Sequence, residues 1–573
     1  MKKQSIFSIL KKYKGLTALL TLFTIASGAL NLVLPKIIAF AVDAYGKNHT
    51  ISLGTVVFYV ISIVLIFVFT YLVTVVQVIA SERVARDMRR DLSHAISLQS
   101  FSAVESVGGS KLLTNLTSDA DAVKAFVSQA FPTIVSSLFL IIGASALLVS
   151  LNWKLGLMVL GMIPIIGFTF GFVFSKIGGL FRRSQEVIDR LNKIISDTIM
   201  GSALVRVLNS QMAEQDRFIT TNTEALGIGM SILKLFASMI PIITFISNLA
   251  MVVILVFGGH LVIIQSMTIG DFTAFQSYVA VLVFPMLLLG FMSNVIAAAS
   301  ASYNRITQVQ DMPVEQSVGT ISKSVTGAVV VKDIALTLGG KHILRDISFE
   351  IKPGTKTAIV GPTGGGKTQL LYVLIGLLKP TSGAVVYDGV PLDDFEKQSL
   401  YSQVGMVFQD SIMFNLSIRE NITFGSTAKE EALHKAIETA ELSDYILNLP
   451  RGLETIVSER GTTLSGGQKQ RIMLARALAL DPKILLLDDF TARVDTMTEH
   501  RIVQNLERNY PDLTLISITQ KIAPIEHYDQ IILVMEGEVL AVGTHNELLT
   551  TSPEYAQIVS SQQSTTSYEE LPS

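Results

Sequence analysis

Between about Gly15 and Ala299 the chain carries one apolar run after another, each long enough to cross a bilayer and nearly free of fixed charge. A hydrocarbon core about 30 Å thick is spanned by about 20 apolar helical residues, and by that measure there are about six runs. They cover roughly 16–42, 55–79, 131–151, 155–174, 240–264 and 272–297. A mean hydropathy of +0.50 with 16% charged residues over 573 positions excludes an ordinary soluble protein. The 45 basic residues against 47 acidic ones leave no excess for nucleic acid, and zero cysteines exclude disulfides and thiolate metal sites.

After about Val329 the pattern changes to short apolar strands alternating with amphipathic helices, as in a soluble α/β domain. The expected division is a transmembrane domain over 1–310, a polar linker over 311–328, an α/β domain over 329–560 and a polar, disordered tail over 561–573. Basic residues give the orientation. Arg83, Arg86, Arg89, Arg90, Lys111 and Lys124 follow the second run, and Lys176, Arg182, Arg183, Arg190, Lys193 and Arg206 follow the fourth. By the positive-inside rule these segments, the N-terminus with Lys2, Lys3, Lys11, Lys12 and Lys14, and the α/β domain are cytoplasmic, in a multi-pass protein of the plasma or inner membrane. Residues 1–15 read as a short basic interfacial helix. The long cytoplasmic segments have helical charge spacing, so the spanning helices are expected to run on past the bilayer, with short docking helices at 110–116 and 201–208. Asp43, Lys47, His49 and His260 fall at external span ends, where charges are ordinarily solvated.

The chemistry begins at Gly361-Pro362-Thr363-Gly364-Gly365-Gly366-Lys367-Thr368, between the buried-type strand Thr357-Ala358-Ile359-Val360 and a helix opening at Gln369. That is the strand, loop and helix setting of a phosphate-binding loop. Gly361, Gly364, Gly365 and Gly366 let backbone N–H groups converge on phosphates, Lys367 reaches the terminal phosphates and Thr368 offers a hydroxyl to Mg²⁺. A second apolar strand, Ile484-Leu485-Leu486-Leu487, ends in Asp488, placed to hold that Mg²⁺. ATP and Mg²⁺ are the expected cofactors.

About a hundred residues after the loop stands Leu464-Ser465-Gly466-Gly467-Gln468, followed by Lys469-Gln470-Arg471. With these motifs the whole chain resembles a half-transporter of the ATP-binding-cassette exporter family, specifically the degenerate-site subunit of a heterodimeric, multidrug-type bacterial exporter. The resemblance implies a six-helix, all-α transmembrane domain fused to a cytoplasmic α/β P-loop nucleotide-binding domain. It implies that Ser465, Gly466, Gly467 and Gln468 touch a nucleotide held by another subunit. It also makes Gln409, in Val407-Phe408-Gln409-Asp410, the loop glutamine that senses Mg²⁺ and contacts the membrane domain, and Asp495 the interface-loop aspartate.

Three positions depart from the family pattern. After Asp488 the family has a glutamate that orients or deprotonates the attacking water, and Asp489 stands there instead, its carboxylate withdrawn by one methylene, about 1.5 Å. Gln520 follows Leu515-Ile516-Ser517-Ile518-Thr519 where the family has a histidine against the γ-phosphate; it can donate a hydrogen bond but cannot carry charge. Leu338 stands where an aromatic side chain usually stacks on adenine. Gripping motifs are thus kept, cleaving ones weakened, and the signature serving the neighbour is complete. The expectation is a heterodimer in which Asp489 and Gln520 make a slow site and the partner half-transporter has a complete one. Its expected cargo is a hydrophobic or amphipathic small molecule, exported amid membrane lipids by alternating access. A lipid or peptide exporter, a slow homodimeric ATPase and an ATP-sensing regulatory subunit are the alternatives. Asn31, Gln77, Asn248, Gln276 and Asn294, with Phe172, Phe245, Phe284 and Phe291, are the residues near the spans open either to a substrate route or to ordinary helix packing.

Overall fold

The structure is a computed structural model that describes all residues except 1–4, 162, 313, 315–318, 426–427, 459–460, 462 and 570–573. Lys2, Lys3, residues 313 and 315–318 of the expected linker and the last four residues therefore lie outside the described residues. The chain forms two compact units: Met1–Leu98 with Val107–Met312, and Gln99–Ser106 with Pro313–Ser573.

Among the described residues the first unit has six helical tracts long and apolar enough to cross a membrane, as expected: Lys14–Lys47, Leu53–Ser97, Gly109–Leu151, Trp153–Met200, Gln211–Ile263 and Ile269–Gln310. At about 1.5 Å per residue the 45-residue second tract is about 68 Å long, more than twice the hydrocarbon thickness. Helices are required here because lipid offers no partner for a free peptide group. Pro35, Pro241 and Pro285 sit inside three of them. Small residues let the tracts approach: Ala39, Ala144 and Ala274 are buried beside Leu148 and Phe275. Tyr278 Oη donates to the Leu32 carbonyl at 2.9 Å, tying the sixth tract to the first.

Two polar ties in this unit escape a reading of the sequence. Asp43 is more than a solvated end charge: its Oδ1 accepts from the Gly270 N–H at 2.7 Å and caps the sixth tract from the first. At the cytoplasmic end Asp119, 2% exposed, accepts from Asn115 Nδ2 at 2.7 Å, Ser302 Oγ at 2.8 Å and Arg305 Nε at 3.0 Å. That cluster joins the start of the third tract to the end of the sixth. Asn31, weighed as a pathway residue, donates to the Ser27 carbonyl of its own helix at 2.9 Å.

The expected docking helix at 110–116 is corrected by the structure. Those residues open the third tract in the first unit, with Leu112 and Asn115 buried. The segment that belongs with the second unit is Gln99–Ser106, about ten residues earlier, because Phe101 supplies an aromatic edge for that core. Its ring meets Tyr372 at 5.5 Å in a T-shaped contact, and Tyr372 lies 6.0 Å from Phe408, the neighbour of Gln409.

Among the described residues the second unit is built on two sheets. Strands β1 (Val329–Leu338), β2 (Lys341–Ile351), β4 (Ser382–Tyr387) and β5 (Val390–Pro391) form an antiparallel sheet in the order β2-β1-β4-β5. The larger sheet runs β10-β9-β3-β8-β7-β6, from β3 (Lys356–Val360), β6 (Val404–Val407), β7 (Ile484–Asp488), β8 (Thr514–Ile518), β9 (Gln530–Met535) and β10 (Glu538–Gly543). Every pairing in it except β9 with β10 is parallel. Strands β7 and β8 are buried throughout, which explains their unbroken apolar runs. The segment read from its polarity as a tail is helical as far as Glu569, in a C-terminal helix over Pro553–Glu569.

Candidate functional site: a phosphate cradle at the strand ends

Parallel pairing sets Ile359 of β3 opposite Ile518 of β8, Ile518 opposite Asp488 of β7, and Leu487 of β7 opposite Val407 of β6. The residues just past these positions therefore share one edge of the sheet: the phosphate loop after β3, Gln520 after β8, Asp489 after β7 and Gln409 after β6. Ligands of open α/β sheets bind at this carboxyl-terminal edge.

The phosphate loop leads into a helix over Lys367–Leu374, whose N-cap is Gly366. Its free N–H groups and partial positive charge face the loop, and Gln369 lies in its first turn. At Gly361 (φ 150°) a Cβ would overlap the Val534 carbonyl oxygen, so no side chain fits where the loop leaves β3. Lys367 is 7% exposed, and its Nζ donates to the carbonyls of Gly361 at 2.9 Å and Pro362 at 2.7 Å. Burial lowers its pKa, while Asp489 and Asp488 act in the opposite direction. Thr368 Oγ1 donates to Asp488 Oδ1 at 3.2 Å.

Asp488 is 1% exposed, and burial raises its carboxyl above the ordinary range. Its second oxygen, Oδ2, is buried without a hydrogen-bond partner among the described residues. An orphaned carboxylate oxygen beside a threonine hydroxyl, with Gln409 at the same sheet edge, is a hard-oxygen donor set that fits Mg²⁺. Gln409 itself is exposed just beyond β6.

Asp489 has a left-handed backbone, φ 45° and ψ 38°, and its N–H donates to the Ile518 carbonyl at 2.9 Å. The β7 to β8 pairing is thus carried one residue past the strand, which fixes the start of the carboxylate's side chain. Gln520 is exposed, and Thr363 Oγ1 of the phosphate loop donates to its Oε1 at a long 3.4 Å.

Ser465 is the N-cap of a helix over Gly466–Leu478. Its Oγ accepts from the Gln468 N–H at 3.2 Å, and Gln468 Oε1 accepts from the Ser465 N–H at 2.8 Å, a reciprocal capping box. A Cβ at Gly467 would lie 2.9 Å from the Arg493 carbonyl oxygen, so this turn must stay bare. Asp495 caps the helix Thr496–Asn509, its Oδ1 accepting from the Thr498 N–H at 2.9 Å, which holds its carboxyl below the usual range. Leu338 pairs with Lys341 at the tip of the β1–β2 hairpin and is 37% exposed.

Two family descriptions match the chain: "ABC transporter transmembrane region" over residues 17–286 and "ABC transporter" over residues 344–492. An uncharacterized ABC transporter ATP-binding protein, YfiB of Bacillus subtilis, is 32% identical over 567 residues, 98% of each chain. The chain belongs to the ABC transporter family. An ATP-dependent lipid A-core flippase of Syntrophus aciditrophicus is 28% identical over 493 residues, covering 85% of this chain and 82% of that one. The structure of a bacterial Atm1-family ABC exporter with ATP bound matches with a TM-score of 0.78 at 22% identity, over 97% of this chain and 99% of that one. This ABC transporter therefore has the exporter fold, six spans fused to an ATPase domain, and is a multi-pass membrane protein with its nucleotide-binding domain on the cytoplasmic side.

Sequence reasoning passed over Gln562, whose carboxamide bonds the backbone on both sides of Lys521 in the loop carrying Gln520. A polar residue in a polar run gives no local signal. Only its spacing of seven from Tyr555 sets it on the buried helix face.

Proposed function

We propose that this chain is one half of a heterodimeric exporter, and that its own ATP site grips nucleotide and Mg²⁺ but cleaves slowly. The observation that carries this reading is the pairing of Asp489 and Gln520 with an otherwise well-built cradle and a capped signature helix. Lys367 and the loop N–H groups hold the phosphates, and Thr368, Asp488 and Gln409 hold Mg²⁺, which neutralises phosphate charge when bound. Asp489 is the candidate for orienting the attacking water, from a carboxylate set back by about 1.5 Å, and misplacement on that scale can cost about a hundredfold in rate. Gln520 offers the γ-phosphate a neutral donor. Ser465, Gly466, Gly467 and Gln468 serve the partner's nucleotide, with Asp495 at the interface between the sites.

A dimer is supported by the first unit as well. The short helix Ser202–Val207 presents Leu204, Val207 and Leu208 at 61%, 82% and 64% exposure, flanked by Met200 and Met212. An apolar cytoplasmic tip of this kind suits burial against a partner. Closure around ATP at both interfaces would then favour one arrangement of the spans, since nucleotide bridges the subunits only when they meet.

The proposed cargo is hydrophobic or amphipathic: Phe172, Phe245 and Phe284 are exposed aromatics in spans with little fixed charge. The likeness to lipid A-core flippases favours, as a second reading, a lipid cargo. Alanine replacement of the partner's catalytic carboxylate, against Asp489→Ala in this chain, tests the assignment of sites. Loss of ATP turnover from the first change alone supports the proposal; equal loss from both refutes it.

A further inference from the structure

The C-terminal helix Pro553–Glu569 is anchored in the second unit by Tyr555, 0% exposed, and Val559, 5% exposed. Tyr555 Oη and His545 Nδ1 lie 2.8 Å apart, which fixes the start of the helix. Helical periodicity sets Gln562, seven residues after Tyr555, on the same face. There its Nε2 donates to the Gln520 carbonyl at 2.6 Å, and its Oε1 accepts from the Ile522 N–H at 3.0 Å.

One side chain thus holds two peptide groups that flank Lys521, in the turn between β8 and the short helical turn Ala523–Ile525. The same turn is also held by Lys521 N–H to Thr519 Oγ1 at 3.0 Å and by Thr519 N–H to the Ile359 carbonyl at 3.3 Å. Among side chains in their ordinary neutral-pH forms only a carboxamide donates and accepts through a single planar fork. Asn would fall short by one methylene, about 1.5 Å, and Glu would set an oxygen against the Gln520 carbonyl. The residue type fits its two partners.

We propose that Gln562 is a positioning residue that fixes the reach of Gln520 toward the terminal phosphate, and through it the preference of this site for ATP over ADP. The proposal rests on the reading of Gln520 as a γ-phosphate contact. The loop N–H groups and the helix N-terminus act on phosphates that ATP and ADP share, so they cannot by themselves set the preference. Gln520 lies over the start of the phosphate loop, beside Thr363, and its side chain can reach only as far as its backbone is held. Freeing the backbone spreads the Gln520 amide over many positions, and ATP loses a contact that ADP never makes.

The test is competitive binding of a non-hydrolysable ATP analogue and of ADP to the full chain in lipid nanodiscs, for the native protein, Gln520→Ala, Gln562→Ala, Gln562→Glu and the Gln520→Ala/Gln562→Ala double variant. Melting of each variant is followed in parallel. Each single alanine change is expected to lower the analogue-to-ADP affinity ratio by about three- to tenfold, the worth of one hydrogen bond, with ADP affinity and melting unchanged. Gln562→Glu is expected to behave like Gln562→Ala, and the double variant to be no worse than either single one. If Gln520→Ala leaves the ratio unchanged, the γ-phosphate reading falls and the proposal with it. If Gln520→Ala lowers the ratio while Gln562→Ala spares it, weakens both nucleotides equally or adds fully in the double variant, the positioning role alone is overturned.

Discussion

The gripping and cleaving faces of the nucleotide site sit on the same sheet edge yet are held in different ways. Lys367 and Asp488 are almost fully buried, tied to the phosphate loop and to Thr368. Asp489 is half-buried on a left-handed turn, and Gln520 is exposed on a loop braced by a distant helix. On the proposed assignment, binding chemistry is part of the core and cleavage chemistry hangs from its rim. A rim side chain can be shortened or neutralised at little cost to the fold, so a chain can lose cleavage while it keeps its nucleotide, Mg²⁺ and a working signature for its neighbour.

The largest effect that could break this contrast lies outside both faces, at the signature helix. Ser465→Ala should lower ATP turnover of the assembled pair by about a hundredfold, the worth of a lost donor at a reacting phosphate, while nucleotide binding to this chain's own site stays as it was. An assay of the pair beside a titration of the single chain checks both halves of that statement. Restoring the family residues sharpens the contrast from the other side. Asp489→Glu with Gln520→His should raise turnover at this site by up to about a hundredfold, read as steady-state phosphate release. A smaller effect belongs to the gripping face: Lys367→Ala should weaken ATP binding by about thirtyfold, since charge-assisted bonds are worth about 1.5 to 3 kcal/mol. Below that, Leu338→Tyr should tighten ATP by about fivefold, the low end of a base-aromatic stack, measured as affinity without change in turnover.

The smallest predicted effect is a pH dependence. Burial raises Asp488, so on acidification this carboxyl takes up its proton before an exposed aspartate does. Mg²⁺ needs the ionised form, so Mg²⁺-assisted ATP affinity should weaken as pH falls through that raised value, and Asp488→Asn should remove the dependence. Without Mg²⁺ the sign for stability is opposite. A raised folded pKa gives stability that is present at low pH and lost as pH rises through it. Melting scans with and without Mg²⁺ across pH should therefore diverge in opposite directions.

Much of the molecule was legible because its signals are local. Each span is a continuous apolar run, and lipid leaves such a run little choice but a helix. The phosphate loop shows itself through glycines within eight residues, and Asp488 by closing an apolar strand. Helical spacing sets the docking segment about ten residues after Gln99–Ser106, because spacing cannot say which turn meets an aromatic such as Tyr372. Asp43 read as a solvated end charge because its partner, Gly270, is 227 positions away. Asp119 and Arg305, 186 positions apart, are in the same case. Gln562 sits in a run whose polarity suggested a tail, and its role depends on a face defined by Tyr555 and Val559. Sequence patterns report periodicity and chemistry within a segment, whereas these ties exist only once distant segments pack.

On the proposed reading this chain holds ATP well and cleaves it poorly at its own site, while its signature helix completes the faster site of a better-equipped partner. The most direct measurement is steady-state ATP hydrolysis by the full chain purified alone in lipid nanodiscs, with nucleotide occupancy read in the same sample and compared with the co-purified pair. High occupancy with little turnover alone, and brisk turnover only in the pair, is the predicted result. A chain that assembles with itself and hydrolyses ATP at the rate of the pair would contradict it.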